Sequence, residues 1–297
     1  MNKTALPSAL DAPVRLLNLA VGRVAVYQSG CNDPELPPLL LVHSVNAAAS
    51  SAEVVPLFEH AKAQRTVWAM DLPGFGLSDR PDIAYSPQLM TDAVSAVLAD
   101  LCAESGEHQV DVLAVSLACE FAARAAQARP LHIRRLAMVS PTGFSAKRRP
   151  HGPPGTTRVI PWLDRWLRSS VWGERIFRQL TRPGVIRYFL RRTFGRPEID
   201  EALWRYAVAT TRQPGARHAP LRFVSGALFS ADVPELYRQL DLPVWVSMPT
   251  RGDFTDYERR SEFEDRPGWQ FHRVQGGALP YFEDSKAFHE RLDGFWR

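Results

Sequence analysis

The sequence predicts an α/β protein built on a parallel or mostly parallel sheet. Three observations carry this expectation. Short apolar runs such as Leu39 to His43 and Val110 to Val115 have the character of strands covered on both faces. These runs alternate with stretches of helical period. The alternation stops once, at a segment dense in Pro, Gly and basic residues, and resumes further along the chain.

Taken in order, residues 22–28 (GRVAVYQ) alternate like a half-buried strand, and CNDPELPP follows as a turn-rich connection. Leu39 to His43 is a fully apolar strand, Ser50 to Ala63 a helix, and Thr66 to Met70 a strand that runs into the turn-rich DLPGFGLSDRPD. Ser86 to Leu101 has helical periodicity, Val110 to Val115 reads as a strand, Leu117 to Ala128 as a helix and Ile133 to Val139 as a strand. SPTGFSAKRRPHGPPG then opens an insert that reads as all helix to about residue 220. Beyond it come a strand at Val244 to Met248, a loop carrying RGDFTD, a strand at Gln270 to Val274 and a helix at Phe282 to Trp296. The domain organisation expected is a core of residues 1–144 and 221–297 with a helical lid at 145–220.

At 297 residues the chain can bury a large core, and its composition is that of a globular protein. The sequence contains no apolar run of membrane-spanning length, and its first residues lack the apolar stretch of a secretory leader. Cys31, Cys102 and Cys119 are irregularly spaced and odd in number, which suits a reducing compartment and no zinc pattern. The expected location is cytoplasmic, with neither metal nor organic cofactor. The net charge of +4 conceals an asymmetry. From Phe144 to Phe223 there are sixteen arginines and one lysine against five acidic residues, a net of +12, which leaves −8 for the remainder. Such a basic insert suits a solvated arginine-rich surface, attraction to an anionic substrate, or peripheral contact with an anionic membrane or an acidic partner. No segment has the pattern of a nucleic-acid-binding module, so the expected partner is a small-molecule substrate. WLDRWLRSSVWGERIFRQL reads as one helix, with Trp162, Trp166, Ile176 and Leu180 interleaved with Arg165, Arg168, Arg175 and Arg178. That face could receive an apolar substrate, lie on an anionic membrane surface, or simply pack its tryptophans on the sheet domain.

Ser116 sits in VDVLAVSLACEFAARAA, between an apolar strand and a helix, with Ala114 and Ala118 two residues away on either side. A serine on a sharp strand-to-helix turn needs small neighbours at those positions, because the turn crowds them. The turn would expose the hydroxyl and direct the free N–H groups of the helix end at an oxyanion. A serine opening a helix is also a common cap.

LLLVHSVNAAASS, MDLPGFGLSDRP, VDVLAVSLACEFAARAA, LAMVSPTGF and GALPYFED resemble, in that order, segments of the α/β-hydrolase superfamily. The resemblance covers nearly all of the chain outside residues 145–220. It implies an α/β-hydrolase fold, with a mostly parallel central sheet flanked by helices and an all-helical lid inserted after the sixth strand. It also implies site roles. Ser116 would be the nucleophile. The backbone N–H groups of Leu117 and Val45 would form the oxyanion hole. His43 would support the loop that carries Val45, or serve as an alternative base. The triad acid is expected after the strand VWVSM, where Asp253 is the candidate and Asp256 the alternative; a gapless count from that strand reaches Gly252, one residue early.

The triad base has no counterpart. Superfamily members commonly read G-H-x-x-x-x-E near the C-terminus, and alignment on Glu283 puts Ala278 at the histidine. Some members carry a second histidine three residues later, where this chain has Tyr281. A tyrosine is no substitute as a base: its reference pKa near 10 leaves about one part in a thousand ionised at neutral pH. Loss of a triad histidine costs on the order of a millionfold in turnover. Of the other histidines, His272 falls within a strand, His289 is expected to face solvent from the last helix, and His151 and His218 flank the lid. Three functions therefore remain. The first is a serine hydrolase of an ester or thioester of an apolar small molecule, neutral or anionic, with a non-standard or incomplete triad. The second is a lyase, isomerase or cyclase using Ser116 and Tyr281 as hydrogen-bonding groups. The third is a catalytically silent ligand-binding protein.

Overall fold

The computed structural model describes residues 5–31, 35–128, 132–146 and 152–297. Its centre is an eight-stranded sheet formed by β1 (Val14–Leu19), β2 (Gly22–Ser29), β3 (Leu39–Val42), β4 (Val67–Met70), β5 (Val110–Val115), β6 (Ile133–Val139), β7 (Val244–Pro249) and β8 (Trp269–Val274). The spatial order is β1-β2-β4-β3-β5-β6-β7-β8. Only β1 with β2 and β2 with β4 pair antiparallel; the other five pairings are parallel. This is the mostly parallel sheet the sequence predicts. Residues of β3, β4, β5 and β7 are buried along their whole length, which explains their lack of polar alternation.

One strand escaped the sequence reading. β1 is an edge strand, largely exposed, held to β2 by a hairpin and to the helix behind it by Arg15, which pairs with Asp100 and Glu104. Its identity comes from pairing with β2 rather than from a buried face of its own.

Helices cover both faces of the sheet: α1 (Val55–Ala61), α2 (Pro87–Ser105), α3 (Ala118–Ala128) and, at the end of the chain, α10 (Ser285–Trp296). Two of the expected helices begin later than the sequence suggests. Ser51–Val54 forms a 3₁₀ turn, and α1 starts beyond it because Pro56 is tolerated only in a first turn. Likewise Pro280–Phe282 is a 3₁₀ turn, and α10 is capped by Asp284, whose carboxylate accepts the N–H of Ala287 at 3.1 Å.

Between β6 and β7 lie α4 (Pro161–Leu167), α5 (Ser170–Leu180), α6 (Pro183–Phe194), α7 (Glu201–Thr210), α8 (His218–Val224) and α9 (Val233–Arg238). The single helix expected over residues 162–180 is two helices. Ser169 is extended, at φ −59° and ψ 139°, and the start of α5 passes so close to the end of α4 that a Cβ on Gly173 would strike the Leu167 carbonyl. Trp162 and Trp166 do not pack on the sheet domain but stand 70% and 43% exposed.

His289 also differs from expectation. Instead of facing solvent it is 5% exposed, stacked on His60 at 3.8 Å between ring centroids. Burial, and then the neighbouring His60, lower its pKa to about 4. α10 packs on α1 there, a contact that periodicity within one helix cannot reveal. Among the described residues no helix is long and apolar enough to cross a membrane.

Candidate active site

The carboxyl ends of the parallel strands converge on a cavity of about 300 Å³. Ser116 lines it from the turn after β5, together with Val45 and Asn46 from the loop after β3 and Ala278 from the loop after β8. Loops at this edge of an open α/β sheet are the usual place for a ligand.

Ser116 adopts φ +56°, one of two non-glycine residues among those described with positive φ. A side chain in the left-handed region carries a steric cost of order 1–3 kcal/mol, held here by the surrounding packing. The N–H of Ser116 donates to the Val139 carbonyl at 2.8 Å, which ties the turn to β6. Ala114 and Ala118 are fully buried against neighbouring elements, as the crowding of such a turn requires. Among the described residues the Ser116 hydroxyl has no hydrogen-bond partner, and neither does the N–H of Val45 or Leu117. All three residues line the cavity.

The loop carrying Val45 is braced on both sides by a residue the sequence reading missed. Glu53, 5% exposed, accepts the N–H of Ser44 at 3.0 Å and the Asn46 side-chain amide at 2.7 Å. These donors flank Val45 in sequence, so one carboxylate sets the direction of its N–H. Replacing Glu53 by alanine is therefore expected to slow acylation of Ser116 by an activated ester about tenfold to hundredfold, with substrate affinity little changed. Stopped-flow acylation rates across a range of substrate concentrations separate the two effects. A loss confined to affinity would assign Glu53 to substrate binding instead. The signal in the sequence was an acidic residue within the otherwise apolar SAEVVPLF.

His43 does not line the cavity. It is fully buried, and its Nε2 accepts the N–H of Leu72 at 3.0 Å. The proton is then on Nδ1, which donates to the Ser44 carbonyl at 2.6 Å. Both nitrogens are committed to holding loops.

Tyr281 is likewise absent from the cavity wall. It is fully buried, its hydroxyl donates to the Glu53 carbonyl at 2.9 Å, and burial followed by the Glu53 charge pushes its pKa well up. The structure thus places Tyr281 behind the loop as a brace for the Glu53 turn and does not bring it to Ser116.

Ala278 stands in the cavity wall with its backbone fixed twice. Its N–H donates to the Thr193 carbonyl at 2.8 Å, and its carbonyl accepts the Ser140 hydroxyl at 2.9 Å. The end of α6 presses on this loop so closely that a Cβ on Gly277 would collide with Thr193 and Phe194. No histidine lines the cavity among the described residues. His218 pairs with Asp82 at 3.1 Å, His272 stacks on Trp245, and His151 lies outside the described residues.

Both candidate acids line the cavity, each with another partner. Asp253 faces Arg192 of α6, with Oδ2 2.6 Å from Nε. Asp256 accepts the Ser145 hydroxyl. Among the described residues Arg158 is the one cation in the wall, against Glu53, Asp253 and Asp256. The rest of the wall is largely apolar: Val115, Leu117, Leu190, Phe223, Phe229, Phe254 and Leu279.

Behind the wall, Glu120 on α3 is fully buried and accepts the Thr142 hydroxyl and the N–H of Ser230 at 3.0 Å. Burial raises its pKa to about 7 against those hydrogen bonds. It links the start of the insert to its end. The sequence reading missed it, although a glutamate between Cys119 and Phe121 was its mark.

A sequence model of the alpha/beta hydrolase fold matches residues 37–179. No curated protein sequence matches the chain. Solved structures do. Carboxylesterase CesB from Bacillus subtilis is 18% identical with a TM-score of 0.68, over 98% of this chain and 92% of that one. A probable hydrolytic enzyme from Pseudomonas aeruginosa is 19% identical with a TM-score of 0.73, over 97% and 95%. The 2-hydroxy-6-oxo-6-phenylhexa-2,4-dienoate hydrolase of a Rhodococcus species is 15% identical with a TM-score of 0.72, over 96% and 99%. At these identities the likeness is one of fold.

Proposed function

We propose that this chain, which has the alpha/beta hydrolase fold, is an acyl-transfer hydrolase with an incomplete triad, acting at Ser116 on esters or thioesters of apolar small molecules. The observation that carries this reading is the geometry of Ser116: a hydroxyl at φ +56° in the wall of a 300 Å³ cavity it shares with Val45 and Leu117. Ser116 Oγ attacks the acyl carbon, the carbonyl oxygen takes the N–H groups of Val45 and Leu117, and the leaving group departs with its electron pair. Among the described residues no imidazole lines the cavity, and the serine proton passes to water. What then drives the reaction is oxyanion stabilisation and binding, roughly a thousandfold over water. The substrates favoured are those whose leaving group needs no protonation, such as thioesters and aryl esters. Among the described residues three carboxylates and one arginine line the wall, a balance that favours a neutral acyl group over an anionic one.

A fluorophosphonate probe tests the reading. Wild-type protein should be labelled, and Ser116→Ala should not. Unlabelled wild type, or equal labelling of the alanine variant, would end it.

A second reading, a silent binding protein, is favoured by the Arg192–Asp253 pair, which engages the candidate acid elsewhere. It predicts ligand retention without turnover of aryl esters by wild type. Chemistry that uses Tyr281 as a hydrogen-bonding group finds no support in the placement of its hydroxyl on the Glu53 carbonyl.

A further inference from the structure

We propose that the outer face of α4 and α5 is a docking surface for an anionic phospholipid bilayer. The inner sides of these helices are already packed. Leu167 and Phe177 are 2% and 4% exposed and form a small core with Ala216 and Leu221. The outer side nevertheless carries Trp162, Val171 and Trp172, exposed to 70%, 60% and 48%, beside Ile160 and Trp166. Trp166 and Trp172 stack across the two helices at 6.0 Å, so the aromatic groups form one patch rather than scattered residues. A contiguous exposed apolar patch marks a surface that meets something other than water.

The charges around it say what. Arg165, Arg168, Arg175, Arg178 and Arg182 are all exposed. Among the described residues only Arg178 of these has a carboxylate partner, Glu174 at 3.8 Å, and Glu174 is shared with Arg217. Asp164, the one acid of α4, is buried in a pair with Arg222 and points away from this face. Arg175 lies over the Trp172 ring at 5.5 Å. Tryptophan rings settle at the headgroup level of a bilayer, and arginines near an anionic leaflet each add attraction on the order of 1 kcal/mol. A second copy of the same face would set these arginines against each other. The surface does not depend on the chemistry assigned to Ser116. It would, however, place at the bilayer the insert whose Leu190, Thr193 and Phe223 wall the cavity.

Flotation of the full chain with vesicles tests the proposal. Binding is expected to vesicles of phosphatidylcholine mixed with phosphatidylglycerol, to be absent with phosphatidylcholine alone, and to be released by sodium chloride. Arg168→Gln with Arg175→Gln should weaken binding about thirtyfold, two charges' worth. Trp162→Ser with Trp172→Ser should abolish it while leaving probe labelling of Ser116 unchanged, which separates this face from the active site. Three outcomes would overturn the proposal. One is no binding to anionic vesicles. Another is binding indifferent to both pairs of substitutions. The third is self-association without vesicles that the tryptophan pair abolishes, which would give the face to a second copy.

Discussion

Asp71→Asn is expected to destabilise the fold by about 3–5 kcal/mol, although it leaves the size of the side chain unchanged. Asp71 follows β4 and is fully buried. Its Oδ1 accepts the N–H of Ser51 at 2.7 Å, and its Oδ2 accepts the Tyr27 hydroxyl at 2.8 Å and the N–H of Leu77 at 2.7 Å. Burial, then the Asp71 charge, push the Tyr27 hydroxyl well above its ordinary pKa, so it stays a donor. Three donors on two oxygens need a carboxylate. An amide turns its NH₂ toward at least one of them and leaves that donor buried without a partner. The carboxylate also explains Gly76, where a Cβ would overlap Asp71. For a chain of this length the loss corresponds to a fall in Tm of roughly 6–10 °C. The Ser51 turn carries Glu53, so labelling at Ser116 should slow in the surviving folded protein. Urea unfolding of both proteins measures the effect, and a difference under about 1 kcal/mol would mean that water or a shifted loop satisfies the donors.

The site was legible wherever its identity was local. The strand bounds of β5 and β6 match the sequence reading because each is a short, mostly buried apolar run bounded by turn residues. Ser116, Val45, Leu117 and Asp253 could be named from segments of a dozen residues each, and the structure gathers them into one cavity. What could not be read was pairing across long separations. Nothing near Asp253 announces Arg192 on α6, nothing near Tyr281 announces the Glu53 carbonyl, and nothing near His289 announces His60. β1 was missed for the same reason, since its partner rather than its own burial makes it a strand. Glu53 and Glu120 were readable in principle, as lone acids in largely apolar stretches, but what they brace could not be inferred from the chain.

Ala278→His is expected to raise aryl-ester turnover about tenfold to hundredfold, and Ala278→His with Arg192→Gln to raise it at least tenfold more. Position 278 lines the cavity with Ser116, and its backbone is held by Thr193 and Ser140, so a side chain there starts from a fixed point. An imidazole supplies the missing base, but an unoriented one works poorly: removing the acid from a working triad costs on the order of ten-thousandfold. Asp253, the acid candidate, is held by Arg192 at 2.6 Å. Freeing it should matter only once the histidine is present, because Arg192→Gln alone gives the acid nothing to orient. The two substitutions should therefore be strongly non-additive. The gain should vanish on Ser116→Ala, and the pH–rate profile should acquire an inflection near the imidazole range, about 6.5. Additive effects would show that Asp253 does not reach a base at 278, leaving Asp256 as the acid to test next. No gain in either variant, in folded protein that still labels at Ser116, would mean that the Ala278 loop lies beyond an imidazole's reach of the serine hydroxyl.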